Sequence, residues 1–317
     1  MRDFLEFEKP LKDLEERIEK LLKSHSGKKS VPRLVRILQT RLAKQEQAIY
    51  GSLTPWQHTQ IARHPQRPST PHYLEHLCQD FVELHGDRTF GDDKAIVGGF
   101  ATFRDRTICV IGHQKGNSLK DRIARNFGMP HPEGYRKALR LMRLAEKFKR
   151  PIVTFINTPG AYPGVGAEER GQAQAIANNL FVMSRLTVPI VSIITGEGGS
   201  GGALALGVAD RIVMLEHSIY SVISPEGCAA ILWADPSKTP DAAAALKMTG
   251  AELQKLGVAD EVIPEPPGGA HRDISGTCQA VADSLHTHLN ELTNIPTDTL
   301  MEDRGNKFRR MTALADS

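Results

Sequence analysis

The chain has 317 residues, 40% hydrophobic and 24% charged, and its 40 Lys and Arg against 37 Asp and Glu leave a net charge of +3. That is an ordinary globular composition, enough for one large domain or two smaller ones, and a charge too slight to point to nucleic acid. The four cysteines, Cys78, Cys109, Cys228 and Cys278, form no C-x-x-C pair, which excludes a zinc ribbon, argues against a disulfide framework and points to reduced thiols in a cytoplasmic protein. The first twenty residues carry no apolar signal core, and no apolar run approaches the ~18 residues that span a bilayer, so no membrane role is expected.

Phe4, Phe7, Leu11, Leu14, Ile18 and Leu21 form a heptad stripe among Glu and Lys and predict a helix. After a Ser/Lys/Gly-rich break at residues 24–32, a second helical pattern runs from Pro32 to Ile49. Residues 1–50 therefore read as a helical hairpin that either covers its own domain or meets another subunit. The main domain is expected over residues 51–295. It begins with a stretch containing Pro55, Pro65, Pro68 and Pro71, read as an irregular wrap. A helix is expected from Pro71 to His85, with Tyr73, Leu74, Leu77, Phe81 and Leu84 on one face. Beyond a turn-rich loop at 86–94, Ala95–Phe103 and Thr107–Gly112 flank the polar turn Arg104-Asp105-Arg106 and predict a β-hairpin. Gly134–Lys149 is an amphipathic helix whose Arg136, Lys137, Arg140, Arg143 and Lys147 are expected to face solvent.

The centre of the chain is Pro151–Asp210. An apolar run, Ile152–Ile156, enters a Gly/Pro loop, Thr158–Gly166, and a helical stretch from Glu168 to Leu186. A second run, Pro189–Ile194, enters the glycine loop Gly196–Gly202, which opens another helix. Continuous apolar runs of this kind are buried parallel strands. Glycines let backbones approach closely, and the free N–H groups at a helix start face whatever lies beyond the strand. Further on come a strand at Arg211–Leu215, a loop and short helix in Ser221–Trp233, and an alanine-rich helix, Ala242–Leu256, stopped by Gly257. A short strand, Val258–Pro264, and a helix, Ser275–Leu292, complete the domain. Residues 296–317 read as a fraying polar tail. Strands alternating with helices make the whole an α/β fold.

Two motif matches compete inside the second glycine loop. Gly196-x-Gly198-x-x-Gly201 with Glu216 twenty positions on fits a dinucleotide fingerprint, and hence a nicotinamide-dependent oxidoreductase. Against it stand the short helix that follows and the unexplained first loop. Gly198-x-Ser200-x-Gly202, with Asp260 and His271 in hydrolase order, fits a nucleophile elbow, though any Gly/Ser run yields that pattern. No Gly-Lys-Ser/Thr follows, so there is no Walker A loop. The remaining option is a scaffold whose glycines serve packing alone. Glu168 and Glu169 open a helix, where carboxylates offset its dipole or face a substrate. His72 and His76 are four apart but lack a carboxylate at ligand spacing.

Long blocks in order narrow these options. RNFGMPHPEGYRKALRLM (Arg125–Met142), TPGAYPGVGAEERGQ (Thr158–Gln172) and GEGGSGGALALGVAD (Gly196–Asp210) resemble the alpha-subunit family of the bacterial acetyl-CoA carboxylase carboxyltransferase, as do SVISPEGCAAILW and IPEPPGGAHR. The resemblance implies a crotonase-like fold of repeated β-β-α units preceded by the helical hairpin. It implies carboxyl transfer from carboxybiotin, borne on a biotin carboxyl carrier protein, to acetyl-CoA, giving malonyl-CoA for fatty acid biosynthesis. A separate biotin carboxylase would use the ATP. A beta subunit, carrying the zinc and much of the acyl-CoA side, would pair with this chain in an alpha2-beta2 heterotetramer. By the same resemblance Gly201 and Gly202 would supply backbone oxyanion donors, with Gly198, Gly199 and Ala203 beside them, and Gly160, Ala161, Tyr162, Gly164, Val165 and Gly166 would shape the neighbouring wall. No group bound to this chain is implied. Two departures stand out. Asn157 occupies a position where Asp is expected, putting a loop-supporting hydrogen bond in question. Asn117-Ser118-Leu119-Lys120-Asp121 replaces a more charged run, putting any phosphate contact near Lys120 in question. The basic helix and a cationic segment with Arg304, Lys307, Arg309 and Arg310 leave room for nucleic-acid contact.

Overall fold

The computed structural model describes residues 4–24 and 33–311, so most of the break predicted at 24–32 lies outside the described residues. Helices α1 (Lys9–Ser24) and α2 (Arg33–Tyr50) form the expected hairpin, closed by Leu14, Ile18, Val35 and Leu38. It is fastened to the body through Glu8, whose fully buried carboxylate accepts from Tyr50 Oη and faces Arg272 at 3.7 Å. The Arg272 guanidinium also lies 4.9 Å from the centre of the Phe4 ring.

The proline-bearing stretch after the hairpin is not wholly irregular. It contains α3 (Pro55–Ala62), capped reciprocally: Gln57 N donates to Thr54 Oγ1 at 3.2 Å and Thr54 N to Gln57 Oε1 at 2.8 Å. Helix α4 (Thr70–Leu77) also departs from expectation, ending eight residues before His85. Residues Cys78–Glu83 are instead an edge strand, β1, antiparallel to β2 (Ile96–Phe103). The hairpin of β2 and β3 (Arg106–His113) stands as predicted.

Next come α5 (Leu119–Ala124) and α6 (Pro132–Lys147). The charged face of α6 is not simply solvated, which corrects the expectation. Lys137 is 1% exposed, its Nζ donating to Asp92 Oδ1 at 2.6 Å and Asp93 O at 2.8 Å. Arg136 Nε reaches Asp87 Oδ2 at 2.7 Å, and Arg140 Nε reaches Gly86 O at 3.1 Å. These three clasp the turn-rich loop, while Arg143 and Lys147 are exposed.

Strand β4 (Ile152–Thr158) leads through the first loop to α7 (Val165–Glu169) and α8 (Gln172–Met183), which divide at Gly171, φ 81°. Strand β5 (Ile190–Gly199) feeds α9 (Ser200–Leu204), and β6 (Arg211–Leu215), β7 (Ile219–Ser221) and α10 (Pro225–Trp233) follow. The alanine-rich helix is really two, α11 (Thr239–Ala245) and α12 (Gly250–Lys255), parted around Lys247 at φ 51°. Strand β8 (Glu261–Ile263) and α13 (Ile274–Thr293) precede α14 (Thr297–Arg310).

One sheet runs β1-β2-β3-β4-β5-β6-β8, antiparallel over its first two pairings and parallel thereafter, with β7 pairing the far end of β5. Ile111, Ile152, Ile156, Ile190 and Ile194 face one core with α6, α8 and α9. Val110, Val153, Val191, Ile193 and Val213 face another with α4 and α13. Burial on both faces explains why the strand sequences are continuously apolar.

The segment after Pro296 does not fray within the described residues. Arg304 of α14 is 1% exposed and all five of its N–H donors are used: Nε and Nη2 reach Asp210 at 2.8 Å each, and the rest reach the carbonyls of Met183, Leu186 and Val188 at 2.7–2.9 Å. Lys307 binds Asp260. Two of the four cations considered for nucleic-acid contact are therefore committed to the body of the protein. No helix among the described residues is long and apolar enough to cross a membrane.

Candidate active site

Parallel strands β4 and β5 end side by side, so the loops that leave them meet. Thr158 pairs with Gly198. A Cβ on Gly199 would stand 2.5 Å from the Pro159 carbonyl carbon, and one on Gly202 would stand 2.5 Å from Ala161 N. Both distances are closer than real Cβ atoms come, so glycine at these positions is what lets the loops touch. Thr158 closes the first loop, its Oγ1 accepting from Gly160 N at 3.0 Å and donating to Gly160 O at 2.8 Å. Gln172 Nε2 pins the same loop through Pro130 O and Tyr162 O, both at 2.9 Å.

The predicted site residues divide by what surrounds them. Gly196, Gly198 and Gly199 lie in β5 and not in a loop. Gly198 is glycine because Tyr220 Cδ2 sits 2.9 Å from where its Cβ would be. Gly201 and Gly202 are the second and third residues of α9, whose N–H groups have no intrahelical acceptor. Ala203 is the fourth, in phase with the Gly199 carbonyl, and it is fully buried in the core. On the facing wall Gly160 is buried, Ala161, Tyr162, Gly164 and Gly166 are half-buried, and Val165 is exposed. The Tyr162 ring lies 4.2 Å from that of His131 and fills the space a Gly164 side chain would need. Ser200, between the two glycine pairs, is exposed and left-handed at φ 54°.

The rival motifs lose their partners. Asp260 accepts from Ile212 N at 2.6 Å, at the start of β6 and so at the opposite end of the sheet from Ser200. His271 stacks on His64 at 3.7 Å. Glu216 accepts from Glu265 N at 2.9 Å, and α9 has only five residues, too short for a dinucleotide crossover.

Below the loops lies a charged cluster that the sequence reading passed over. The Glu197 carboxylate takes Arg63 Nε at 2.7 Å and Lys115 Nζ at 3.1 Å. Burial alone would raise its pKa; Lys115 and Arg63 outweigh burial and hold it below the usual range. Burial lowers the Lys115 ammonium, with Glu197 opposing. Glu197 lies between Gly196 and Gly198, and Lys115 in the run His113-Gln114-Lys115-Gly116 after β3. A charged residue near the end of each of these strands, β5 and β3, was the available signal. Asn157 answers the first question the sequence raised: its Oδ1 accepts from Glu197 N at 3.1 Å, so the amide makes the supporting bond. The 117–121 run builds a helix start, with Asp121 N donating to Ser118 Oγ at 3.2 Å and Asn117 N to Asp121 Oδ2 at 3.1 Å. Near the loops, His113 is fully buried and pushed by burial down to about 3, so it is no base at neutral pH.

The family described as acetyl co-enzyme A carboxylase carboxyltransferase-like matches residues 4–312. Proteins named acetyl-coenzyme A carboxylase carboxyl transferase subunit alpha are similar over nearly the whole length. That of Geobacter metallireducens is 55% identical over 98% of both chains, and that of Nitrosomonas europaea 54% identical over 95% of this chain and 94% of its own. Among solved structures, transcarboxylase 12S superposes with a TM-score of 0.57 at 19% identity, covering 73% of this chain and 44% of that one. The chain thus spans less than half the length of transcarboxylase 12S. A Pseudomonas malonate decarboxylase hetero-tetramer in complex with coenzyme A gives 0.55 at 18% identity, covering 70% and 91%. The fold is crotonase-like, as expected.

Proposed function

The chain belongs to the acetyl co-enzyme A carboxylase carboxyltransferase family, and from that premise we propose that it is the alpha subunit that, with a beta subunit, moves the carboxyl group of carboxybiotin to acetyl-CoA to give malonyl-CoA. The observation that carries this reading is the contact of the two strand-end loops, Gly202 against Gly160–Ala161. It holds the start of α9, where the Gly201 and Gly202 N–H groups lack intrahelical acceptors, against the first loop.

Breaking the N–CO2 bond of carboxybiotin releases CO2 and leaves negative charge on the ureido oxygen. The acetyl methyl gives its proton to the ureido nitrogen, and the resulting enolate carbon forms the new bond to CO2. Gly201 and Gly202 N–H stabilise the ureido oxygen, each worth roughly 3–4 kcal/mol when charge develops only in the transition state. Because biotin takes the proton, the protein needs no base here, and the buried neutral His113 is consistent with that. The first loop, Gly160–Gly166, forms the wall of the biotin side, and the beta subunit brings the acyl-CoA side together with its own zinc. Exposed apolar residues in or next to the strand ends that carry the site, Val165, Leu204 and Val222, support a partner covering this surface. An alpha2-beta2 assembly, served by carrier protein and biotin carboxylase in the cytoplasm, completes the reading.

The test is to combine the purified chain with the beta subunit and assay malonyl-CoA decarboxylation with biocytin as acceptor. Activity is expected from the pair and not from either alone. Full activity of this chain by itself, or none from the pair, would refute the assignment.

A further inference from the structure

A cavity of about 220 Å³ opens beneath the two loops, lined by Arg63, Lys115, Arg122, Asn157, Pro159 and Glu197 among others. Its charges do not balance. Arg63 divides its donors between Glu197 and Glu226, the latter at 3.3 Å from Nη2. Arg67, also on the wall, is committed to Thr195 O and to Glu265 at 2.8 Å. Lys115 uses one N–H, on the Glu197 oxygen that Arg63 leaves. Arg122 has no carboxylate partner among the described residues; it touches only the carbonyls of Gly116 and Pro65, both at 3.4 Å. Four cations thus face three carboxylates, and the surplus lies on Arg122 beside a lysine with two donors to spare.

The backbone next to this surplus is strained. Asn126, Phe127 and Gly128 are successively left-handed, at φ 48°, 55° and 79°. Two non-glycine residues in a row in that region persist only where the surroundings impose it, most often at functional sites. Here the turn packs on the lysine: a Cβ on Gly128 would lie 2.6 Å from Lys115 Cγ. Phe127 is left half in solvent at the cavity rim. The turn therefore fixes the direction of Lys115.

We propose that this cavity is a carboxylate subsite in which Arg122 and Lys115 bind the free carboxylate of the malonyl group, a proposal that rests on the family reading above. Planar guanidinium and carboxylate groups match as a two-bond pair. The cavity is smaller than the ~300 Å³ at which drug-sized ligand pockets begin, so it takes a head group and not a nucleotide. It also adjoins Pro159 and Glu197, at the foot of both loops, whereas the phosphates of coenzyme A are set apart from the acyl group by the pantetheine arm. The carboxyl group is anionic before and after transfer and neutral as CO2 between. Cations on it therefore favour the bound ends of the reaction and not its middle. Loss of one raises KM and does not lower kcat.

Arg122→Gln orphans no acid, so the variant is expected to fold. The full chain should bind sodium malonate and not neutral malonamide in calorimetric titration, with malonate roughly tenfold or more weaker in Arg122→Gln, the scale of one charged hydrogen bond. With the beta subunit present, KM should rise by a similar factor for both malonyl-CoA and malonyl-pantetheine, with kcat unchanged or higher. Malonate binding indifferent to the substitution, or a lower kcat at unchanged KM, overturns the subsite. An effect on malonyl-CoA that vanishes with malonyl-pantetheine also overturns it, by assigning the cations to a coenzyme phosphate. Malonate binding that depends on Arg122, in a pair that shows no decarboxylation, upholds the subsite while removing the proposed reaction.

Discussion

Gly201 and Gly202 are neighbours with different obligations. A methyl group on Gly202 would enter the backbone of Gly160 and Ala161, whereas one on Gly201 would meet only the Ile176 side chain, at 3.5 Å. Gly202→Ala should therefore push the first loop away, cost about 1–3 kcal/mol in urea denaturation as overpacking does, and abolish carboxyl transfer. Gly201→Ala should keep the wild-type unfolding midpoint. Equal midpoints for both would mean that the loops do not touch in solution. The glycine spacing was legible in the sequence, and taken alone it matched more than one chemistry. What it did not reveal is that Gly198 and Gly199 are strand residues held glycine by Tyr220 and Pro159, because those contacts arise from strand pairing and not from local pattern.

At the level of elements, errors in reading have visible causes. Leu77, Phe81 and Leu84 fall at helical spacing, yet the helix stops at Leu77 and Phe81 lies in β1, which ends just before Leu84. The register of β1 slips between Gln79 and Val82, and Asp80 is left-handed, so its partly buried residues recur every third position and not every second. Such an irregular edge strand imitates a helix. Helix α14 failed for the opposite reason: its sequence is mostly polar, and it docks by the buried Arg304 together with Leu300, Phe308 and Lys307. Removing Arg304 would strand the Asp210 carboxylate and three carbonyls in the core. Arg304→Ala should cost about 3–5 kcal/mol in denaturant unfolding, as broken buried pairs do. The Asp210→Asn, Arg304→Ala double variant should lose less than the sum of the singles. Additive losses would show that the pair does not act as a unit.

Across the whole molecule, the hydrophobic strands, the tandem loops and the fold class were readable, since each rests on residues close in sequence. The charge clusters were not, since Arg63–Glu197, Arg67–Glu265 and Arg304–Asp210 join positions about a hundred residues or more apart. The same long-range packing buries histidines, and this sets the response of the entire fold to acid. Burial pushes His217 down to about 4 and His113 and His271 down to about 3, and lowers His58, all from an ordinary 6.5. Below pH 6.5 the unfolded chain takes up these protons and the folded chain does not. Stability must then fall with pH until the folded values are reached, by about 1.4 kcal/mol per pH unit for each such histidine. Asp87 and Asp92, held down to about 2 from 3.8 by their hydrogen bonds and cations against the opposing effect of burial, act in the same direction but only below about pH 4. Asp93, raised by burial, acts oppositely. Between pH 6.5 and 5 the histidines dominate. Urea unfolding over that window should show steeply falling stability. In His217→Gln, whose His58 neighbour stands 3.2 Å away, the slope should be shallower by about one proton. A flat profile, or a slope indifferent to that substitution, would mean that these histidines are hydrated and not enclosed.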